Sequence, residues 1–519
     1  MSMRQWRGRA RRTLIGAAVA AMVAAGLALP ATAAVAAGAV RTVAPTGSGS
    51  ACSTAAPCDL VTAVRASGPG DVVELRTGSY GEYTLSGAGG TAAAPLTVRA
   101  AAGAQPRIVR ITSSVPSVVW TGLTITGTFY LNAPAAGSTL TGMRFDGGGL
   151  FLRSSRATVT ANTFGGGSSI DGIQVGRASD VLIEGNTITG YNQSIANGYH
   201  ADCLQIFDSS RVTVRGNRLA NCYNAGIILS PGDGTGITDV LIESNFIQGC
   251  VVRTAACEGG SAVDLRPPKL SGLVVRGNTI LDGSTRLIPS PGLVFDRNIV
   301  GYLSDCTAPI TNTVVLSWNA AMCAQPAALG TNGNRYGTVD FVDRDGGELH
   351  LVDPTQARIA GLGGLATAPE DIDGQLADSR LAGADSVPGA VLGPVPAPVP
   401  PGGGSGNGSG GGGSSGGAPT VALPAATGAQ AAMPGIDGYF AAKGVTSASS
   451  FTISIDGKVK VRGIRETSGW SVAWALSGVA PGSYPSAAVV TTASGSTVSL
   501  PVVLKVVAAP AAVRATTRR

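Results

Sequence analysis

The segment DVLIEGNTI (180–188) recurs along the chain and decides the fold. In each copy apolar and polar residues alternate and then reach an asparagine. Alternation with a period of two is typical of a β-strand with one buried side. The copies are RATVTANTF (156–164), DVLIEGNTI (180–188), RVTVRGNRL (211–219), DVLIESNFI (239–247), GLVVRGNTI (272–280) and GLVFDRNIV (292–300).

In two earlier copies we expect Gly122 and Gly142 to hold the position of the asparagine. The position then recurs every 20 to 33 residues along the chain. One strand per repeat of that length predicts a solenoid of stacked coils, a parallel β-helix. Asparagine tolerates a left-handed backbone, so we expect each one at a turn. Stacked asparagines can also hydrogen-bond along the helix. They are Asn162, Asn186, Asn217, Asn245, Asn278 and Asn298.

The position two residues before each asparagine predicts a row of alternating charges on the outside of the coils. Opposite charges on neighbouring strands stabilise their pairing, so this row fits a role in strand register better than a functional role. The row consists of Thr160, Glu184, Arg215, Glu243, Arg276 and Asp296.

Residues 1–37 have the pattern of a secretory signal peptide. Five arginines precede an apolar run from Leu14 to Leu29, and A-x-A sites follow. The pair Arg11-Arg12 also fits a twin-arginine export route. Without these arginines the net charge falls from +6 to +1, which gives no reason to expect a nucleic-acid partner. No other apolar run is long enough to span a membrane. From the signal peptide we expect a secreted protein, and we expect it to be a monomer.

Export permits disulfide bonds, and the chain has eight cysteines. Their spacing favours pairs between near neighbours, with the two left over joined to each other, although many pairings are formally open. No C-x₂-C pair occurs, which argues against zinc. The predicted pairs are Cys52–Cys58, Cys203–Cys222, Cys250–Cys257 and Cys306–Cys323.

Composition divides the exported chain. We expect the β-helix over residues 45–393, a Pro/Gly/Ser-rich linker over 394–419 and a second all-β domain over 420–510. The W-x-V-x-W pattern from Trp470 to Trp474, within alternating segments, resembles a bacterial immunoglobulin-like domain. That resemblance implies a small β-sandwich.

From about residue 52 to 385 the chain resembles the secreted β-helix superfamily that includes pectate-lyase-like and chondroitinase-B-like polysaccharide lyases. The resemblance rests on CSTAAPCDLVTAVRASGPGDVVELRTGSY at the start and on FVDRDGGELHLVDPTQARIAG with DIDG (371–374) at the end. It implies a right-handed helix and a polysaccharide ligand. The superfamily includes lyases, hydrolases and inactive binders, so the fold does not name a reaction.

The strand before each asparagine strand carries a polar row of its own. Aligning DGIQV (171–175), DCLQI (202–206), AGIIL (225–229) and AVDL (262–265) places Gln174, Gln205, Ile228 and Asp264 outward, one above another. Asp171 and Asp202 then stack in neighbouring coils. Two carboxylates so close must share a proton, bind a cation or accept hydrogen bonds from turn amides.

These carboxylates leave three alternatives open. Each aspartate caps its own turn, and His200 packs on the next coil. Alternatively, Asp171 and Asp202 bind Ca²⁺ with nearby carbonyl groups. In the third alternative, the outer surface is a catalytic groove for an extended sugar polymer. Insertions around these strands, where repeat proteins often carry function, favour a site here.

A lyase must neutralise a uronate carboxylate, remove the neighbouring proton and protonate the leaving oxygen. The candidates are Gln174 and Gln205 as donors to substrate, His200 as base and Tyr199 as acid. Positive charge would come from two residues of DLRPPKL (264–270), Arg266 and Lys269. The arginine and lysine pattern that the lyases imply is absent from the expected coils.

A hydrolase instead needs two carboxylates. Asp171 with Asp202 suits a retaining pair, and Asp202 with Asp264, which also counts as a substrate-binding residue, suits an inverting pair. His350, in ELHLVD, is expected in a closing strand. The sequence therefore predicts a protein that acts on an extracellular polysaccharide, as a lyase first and a glycoside hydrolase second. The alternative is a non-catalytic carbohydrate- or cell-surface-binding protein.

Overall fold

The structure is a computed structural model. It describes residues 38–193, 200–258, 260–305, 307–319, 331–362, 370–387, 392, 395–396, 420–424, 448–455, 458–466, 469–474, 482–492 and 497–507. The predicted signal peptide and nearly all of the predicted linker lie outside these ranges. Within them, none of the helices has the length and hydrophobicity of a membrane span.

Parallel strands stack coil on coil to form three faces of a solenoid, as the repeat predicts. Face A contains the repeated segment of the sequence and pairs in one continuous ladder. Its strands are Val40–Val43, Val72–Leu75, Leu96–Ala100, Val118–Thr121, Thr139–Thr141, Thr158–Thr160, Ser179–Glu184, Ser210–Arg215, Ile237–Glu243, Leu270–Ser271, Val274–Arg276 and Val294–Asp296.

Face B follows the asparagine turn. Its strands are Thr124–Ile125, Arg144–Asp146, Thr163–Gly165, Thr187–Thr189, Arg218–Ala220, Phe246–Gln248, Thr279–Leu281, Ile299–Val300, Val314–Val315 and Arg335–Tyr336.

Face C completes each coil and carries the predicted polar row. Two long strands, Gly78–Leu85 and Pro106–Ser113, run along both face B and face C in the first coils. The other strands of face C are Thr128–Leu131, Gly149–Leu152, Ile173–Gly176, Asp202–Phe207, Ala225–Leu229, Ser261–Leu265 and Ser284–Leu287.

The interior is built from equivalent apolar side chains in neighbouring coils. Val181 and Ile183 pair in register with Val212 and Val214 and are buried, as the period of two predicts. The predicted charge row is also formed in register, and Arg215 pairs with Glu184 while Arg276 pairs with Glu243. Register on face A is therefore fixed by both its inner and its outer side chains.

The asparagines form a buried ladder inside the turn between faces A and B. Asn186 is typical: its backbone N–H and its Nδ2 both donate to Oδ1 of Asn217 in the next coil. The bonds are 2.9 and 3.0 Å long, and both side chains are at most 1 % exposed. The predicted hydrogen bonds along the helix are therefore present.

Two expectations about this turn are wrong by one residue. The left-handed backbone belongs to the residue before the asparagine, with φ between 50° and 68°. Gly122 and Gly142 occupy that position in the earlier coils, and Met143 holds the place of the asparagine, donating its N–H to Asn162. The left-handed residues are Gly122, Gly142, Ala161, Gly185, Gly216, Ser244, Gly277 and Arg297.

Further elements pack on the solenoid near its first coils and after its last coil. A short α-helix, Leu60–Arg65, packs against the first coils, and Asp59 caps it by accepting the N–H of Thr62. Short 3₁₀ helices occur at Ala133–Ala135 and Pro354–Ala357. After the last coil an antiparallel hairpin, Phe341–Asp343 with Glu348–Leu351, turns back along face B. His350 lies in this closing hairpin, as predicted.

Six strands near the C-terminus form a separate, mostly antiparallel sheet. One pairing, between the first and last strands, is parallel. The described strands make one sheet, so the immunoglobulin-like sandwich stays a prediction. In chain order they are Thr420–Pro424, Ala448–Ile455, Lys458–Glu466, Gly469–Trp474, Gly482–Thr492 and Thr497–Val507.

Candidate functional site

The outward row of face C is formed as the alignment predicts. Gln174 pairs in register with Gln205, Gln205 with Ile228, and Ile228 with Asp264. Each lies between two inward apolar residues, so its side chain projects from the coil. All four are half-buried, which leaves part of each side chain open to solvent.

The two glutamines belong to a hydrogen-bonded chain that crosses the coils. Gln174 Nε2 donates to Gln205 Oε1 at 2.7 Å, and Gln205 Nε2 donates to Ser230 Oγ at 2.9 Å. The guanidinium of Arg153, one coil earlier, donates to Oε1 and to the backbone carbonyl of Gln174. The chain orients the amides and leaves Gln205 Nε2 with a second hydrogen to donate.

The two aspartates lie beneath this row and are hydrogen-bonded. Asp171 Oδ1 accepts the N–H of Asp202 at 2.9 Å, and its Oδ2 accepts from Gln174 Nε2 at 3.0 Å. Asp202 Oδ1 accepts from Asn224 Nδ2 at 2.8 Å. The expectation that each aspartate caps its own turn is wrong, because the carboxylates of Asp171 and Asp202 accept the backbone N–H groups of Asp202 and Ala225, each in the next coil.

Burial dominates the electrostatics of this pair. Asp202 is 2 % exposed and Asp171 is 9 % exposed. Burial, and then the neighbouring Asp171 carboxylate, raise the pKa of Asp202 to about 8. Burial also raises the pKa of Asp171, against the hydrogen bonds from Asp202 and Gln174 and the nearby His200 and Arg153. A shared proton would relieve the repulsion between the two carboxylates.

The cations predicted for this site have partners of their own. Arg266 makes two hydrogen bonds of 2.8 Å to Asp264, and Arg286 lies 3.4 Å from the same carboxylate. Lys269 Nζ donates to the carbonyl of Gly234 at 2.7 Å. The structure thus brings Asp264 and Arg266 together as an ion pair and directs Lys269 to the Gly234 loop.

His200 is exposed and precedes the strand Asp202–Phe207, close enough to Asp171 to affect its pKa. Tyr199, the predicted acid, lies outside the described residues. Gln193, the last described residue before His200, donates its N–H to the carbonyl of Ala256 at 3.0 Å. His200 is therefore next to the insertions predicted to carry function.

Three of the four predicted disulfides are present: Cys52–Cys58, Cys203–Cys222 and Cys250–Cys257. Cys306 and Cys323 lie outside the described residues. The Cys203–Cys222 bond ties the strand that follows His200 to the turn after face B. The Cys250–Cys257 bond closes the insertion that contains Ala256.

Sequence reasoning missed four half-buried residues beside the glutamines. The rings of Tyr130 and Phe151 stack in register on the same row, with centroids 4.9 Å apart. The Arg153 guanidinium lies 5.0 Å from the centre of the Phe207 ring. The sequence does contain a signal for the aromatic residues. Aligning GLFL (149–152) with DGIQV (171–175) places Phe151 in the same outward row as Gln174, one coil earlier.

A Ca²⁺ ion would have to compete with the existing hydrogen bonds. Asp171 and Asp202 offer oxygen ligands of the kind that Ca²⁺ prefers. Both oxygens of Asp171 and one oxygen of Asp202 already accept hydrogen bonds from protein groups. The pair fits hydrogen bonding to neighbouring coils better than it fits a Ca²⁺ ion.

The family model for the right handed beta helix region matches residues 122–307. The solenoid is a right-handed parallel β-helix. The matched coils include Gln174, Gln205, both aspartates and His200. No curated protein sequence matches the chain.

Solved structures with a similar β-helix include two lyases and an adhesin. Pectate lyase Pel9A is 17% identical, with 67% of this chain and 89% of that chain covered and a TM-score of 0.39. A rhamnogalacturonan lyase is 12% identical, with 54% and 74% covered and a TM-score of 0.33. PfbA, a surface adhesin of Streptococcus pneumoniae, is 12% identical, with 52% and 84% covered and a TM-score of 0.32. Similarities this low do not bear on activity.

Proposed function

We propose that the protein is exported and binds an extended polysaccharide along the outside of face C. The observation that carries the proposal is one continuous row, in which Tyr130 and Phe151 are followed, coil by coil, by Gln174 and Gln205. Neighbouring coils are about 4.8 Å apart, so the row repeats at a short and regular interval. Such a row suits a polymer that lies parallel to the helix axis.

The chemistry of the row fits sugars. The half-exposed aromatic pair offers apolar surface to the C–H groups of a sugar ring. Each glutamine carbonyl oxygen can accept a further hydrogen bond from a hydroxyl group, and Gln205 Nε2 has one hydrogen left to donate. The chain of hydrogen bonds from Arg153 to Ser230 fixes the amides before a ligand arrives, which lowers the entropy lost on binding.

Binding is tested by affinity electrophoresis of the mature protein in gels containing neutral or uronate-rich polysaccharides. We expect retardation by at least one polymer and roughly tenfold weaker binding in the Gln174→Ala/Gln205→Ala variant, since two hydrogen-bonding side chains are lost. The matched control is Thr158→Ala/Thr213→Ala on the outer row of face A. Equal loss in both variants, or no retardation by any polymer, would overturn the proposal.

Cleavage of the polymer is a second candidate function, with a lyase first and a hydrolase second. It is favoured by the exposed imidazole of His200 beside the buried carboxylate pair, where a base and a proton reservoir adjoin the proposed groove. Incubation with uronate polysaccharides would give unsaturated ends from a lyase, or only new reducing ends from a hydrolase. Any activity should fall in His200→Ala. Binding without new ends of either kind would leave the protein a binder.

A further inference from the structure

The C-terminal strap, residues 339–362 and 370–387, folds back over the outside of face B. It covers outward apolar side chains of the coils, such as Phe246 and Leu281, with Leu349, Leu351 and other buried residues. Polar contacts fasten it as well: Gln248 Nε2 donates to the carbonyl of Arg344, and Ser244 Oγ donates to that of Glu370. The strap is thus a separate layer on the solenoid.

One ionic cluster joins three parts of the chain at the edge of the strap. His350 Nε2 lies 2.8 Å from Asp373 Oδ2, and its Nδ1 contacts Glu348 Oε1. Arg218, on face B, lies 3.4 Å from Glu348 and 3.6 Å from Asp373. Phe246 packs against both cations: its ring centre is 4.9 Å from the Arg218 guanidinium and 5.2 Å from the imidazole ring centre.

Each ring nitrogen of His350 faces a carboxylate oxygen. An ionised carboxylate only accepts hydrogen bonds, and a neutral imidazole donates from one nitrogen alone. The guanidinium of Arg218 also faces both carboxylates, at 3.4 Å from Glu348 and 3.6 Å from Asp373. An imidazolium between two carboxylates is therefore the arrangement that satisfies every contact in the cluster.

We infer that His350 is a pH-sensitive latch, which strengthens the hold of the strap on face B while the imidazole is protonated and loosens the strap at this edge when the proton leaves. After deprotonation one ring nitrogen faces a carboxylate without a hydrogen. The cluster then carries an uncompensated negative charge between the hairpin and the loop of Asp373. Both belong to the strap, so this charge weakens the strap at its edge, while Arg218, the contacts of Gln248 and Ser244 and the buried apolar residues still tie the strap to the coils.

The sign follows from the charges that face the imidazole. Burial alone would lower the pKa of His350, but Asp373, Glu348 and Asp385 outweigh it and raise that pKa. The contribution to stability is then fully present below the pKa of the unfolded chain, about 6.5, and is lost as the pH rises through the higher folded value. Asp385 accepts the N–H of Leu351, and burial raises the pKa of Asp385 as well.

Release of the strap would change a groove at its edge. The groove has a volume of about 180 Å³ and lies between Thr187, Thr189 and Arg218 of face B and the hairpin turn at Asp345–Gly347. Its far wall belongs to the strap, so the groove would widen into an open surface when the latch opens.

The test is direct because the chain has only two histidines. Nitrogen-detected imidazole NMR of the mature protein, with the His350→Gln variant for assignment, gives the protonation midpoint of His350. We expect a midpoint above 6.5 and two protonated ring nitrogens below it. A midpoint at or below 6.5 would overturn the inference.

Hydrogen exchange of the strap amides, corrected for the intrinsic pH dependence, measures release independently. We expect the opening constant of the strap to be larger at high pH than at low pH. The increase is tenfold for each pH unit by which the titration midpoint of His350 in the closed strap exceeds its midpoint in the open strap. His350→Gln should abolish this dependence, whereas Arg99→Gln, which removes an ion pair with Glu74 on face A, should leave it unchanged. Opening that is independent of pH in the unmodified protein would also refute the latch.

Discussion

Asp202 shows how one residue in a repeat can combine structural and chemical roles. Asp202 pairs in register with Ala225 of the next coil. Its carboxylate accepts hydrogen bonds from the side chain of Asn224 and from the N–H of Ala225. Hydrogen bonds reduce the energy lost on burying the group but do not remove the effect of Asp171. A carboxyl group held in this way takes up a proton when the protein folds.

Stability should therefore fall as the pH rises across the titration of Asp202. The folded protein binds this proton up to a pH of about 8, whereas an unfolded aspartate releases it near 4. Stability linked to Asp202 is complete below about 4 and is lost progressively up to about 8. In Asp202→Asn the decline in melting temperature over that range should be smaller. Exposed Asp180→Asn is the control, and superimposable profiles for Asp202→Asn and the unmodified protein would contradict the assignment.

A second prediction at this scale concerns Asn217. Alanine at this position leaves the N–H of Asn186 and the carbonyl of Ile183 without their partner inside the core. We expect a loss of about 3 kcal/mol in the free energy of unfolding, measured with urea. Asn132→Ala, which removes one bond to Ser114 at the surface, should lose less than about 1 kcal/mol. Equal losses would show that the ladder adds nothing to ordinary asparagine contacts.

At the scale of the element, recurrence decided what the sequence could predict. The asparagine row recurs in six successive coils and the charged row in five, so period-two alternation was enough to pair Glu184 with Arg215. The left-handed residue was misplaced because glycine and asparagine are adjacent in GNT, and either tolerates that backbone. Phe207 and Arg153 were missed because they lie at the strand ends, outside the aligned segment.

The disulfides allow a comparison between elements. Cys203–Cys222 closes a loop of 19 residues between faces C and B, and Cys52–Cys58 closes one of 6 near the N-terminal helix. Loop-closure entropy predicts losses of about 3 and about 2 kcal/mol when the respective pairs are replaced by alanine. Thermal or urea unfolding of the two double variants measures the difference. A larger loss for the shorter loop would show that local packing dominates.

At the scale of the molecule, the solenoid could be predicted from the sequence, but the contacts between the C-terminal strap and face B could not. Contacts within the coils follow a period that can be counted in the sequence. Arg218 and Glu348 meet across 130 residues with no repeat to relate them. The candidate site falls between these cases: register predicted the Gln174–Gln205 row, but not that Asp264 would bind both arginines near it.

Chelation tests the molecule as a whole. Because the oxygens of Asp171 already accept hydrogen bonds, we expect EDTA to leave the melting temperature of the mature protein unchanged. Added Ca²⁺ should likewise have no effect. A fall with EDTA that Ca²⁺ reverses would instead support a cation at Asp171 and Asp202, and its loss in Asp171→Asn would locate the ion.

The asparagine ladder runs in one direction only. Each buried backbone N–H in it is satisfied by the carboxamide of the following coil, never of the preceding one. A chain made from its N-terminus therefore completes each coil only when the next one has been added. Removal of coils from the C-terminal end leaves a buried backbone N–H without its acceptor. Removal of coils from the N-terminal end leaves an asparagine carbonyl oxygen without a donor, which costs less free energy. We therefore expect each coil to become stable only after the following coil has folded against it.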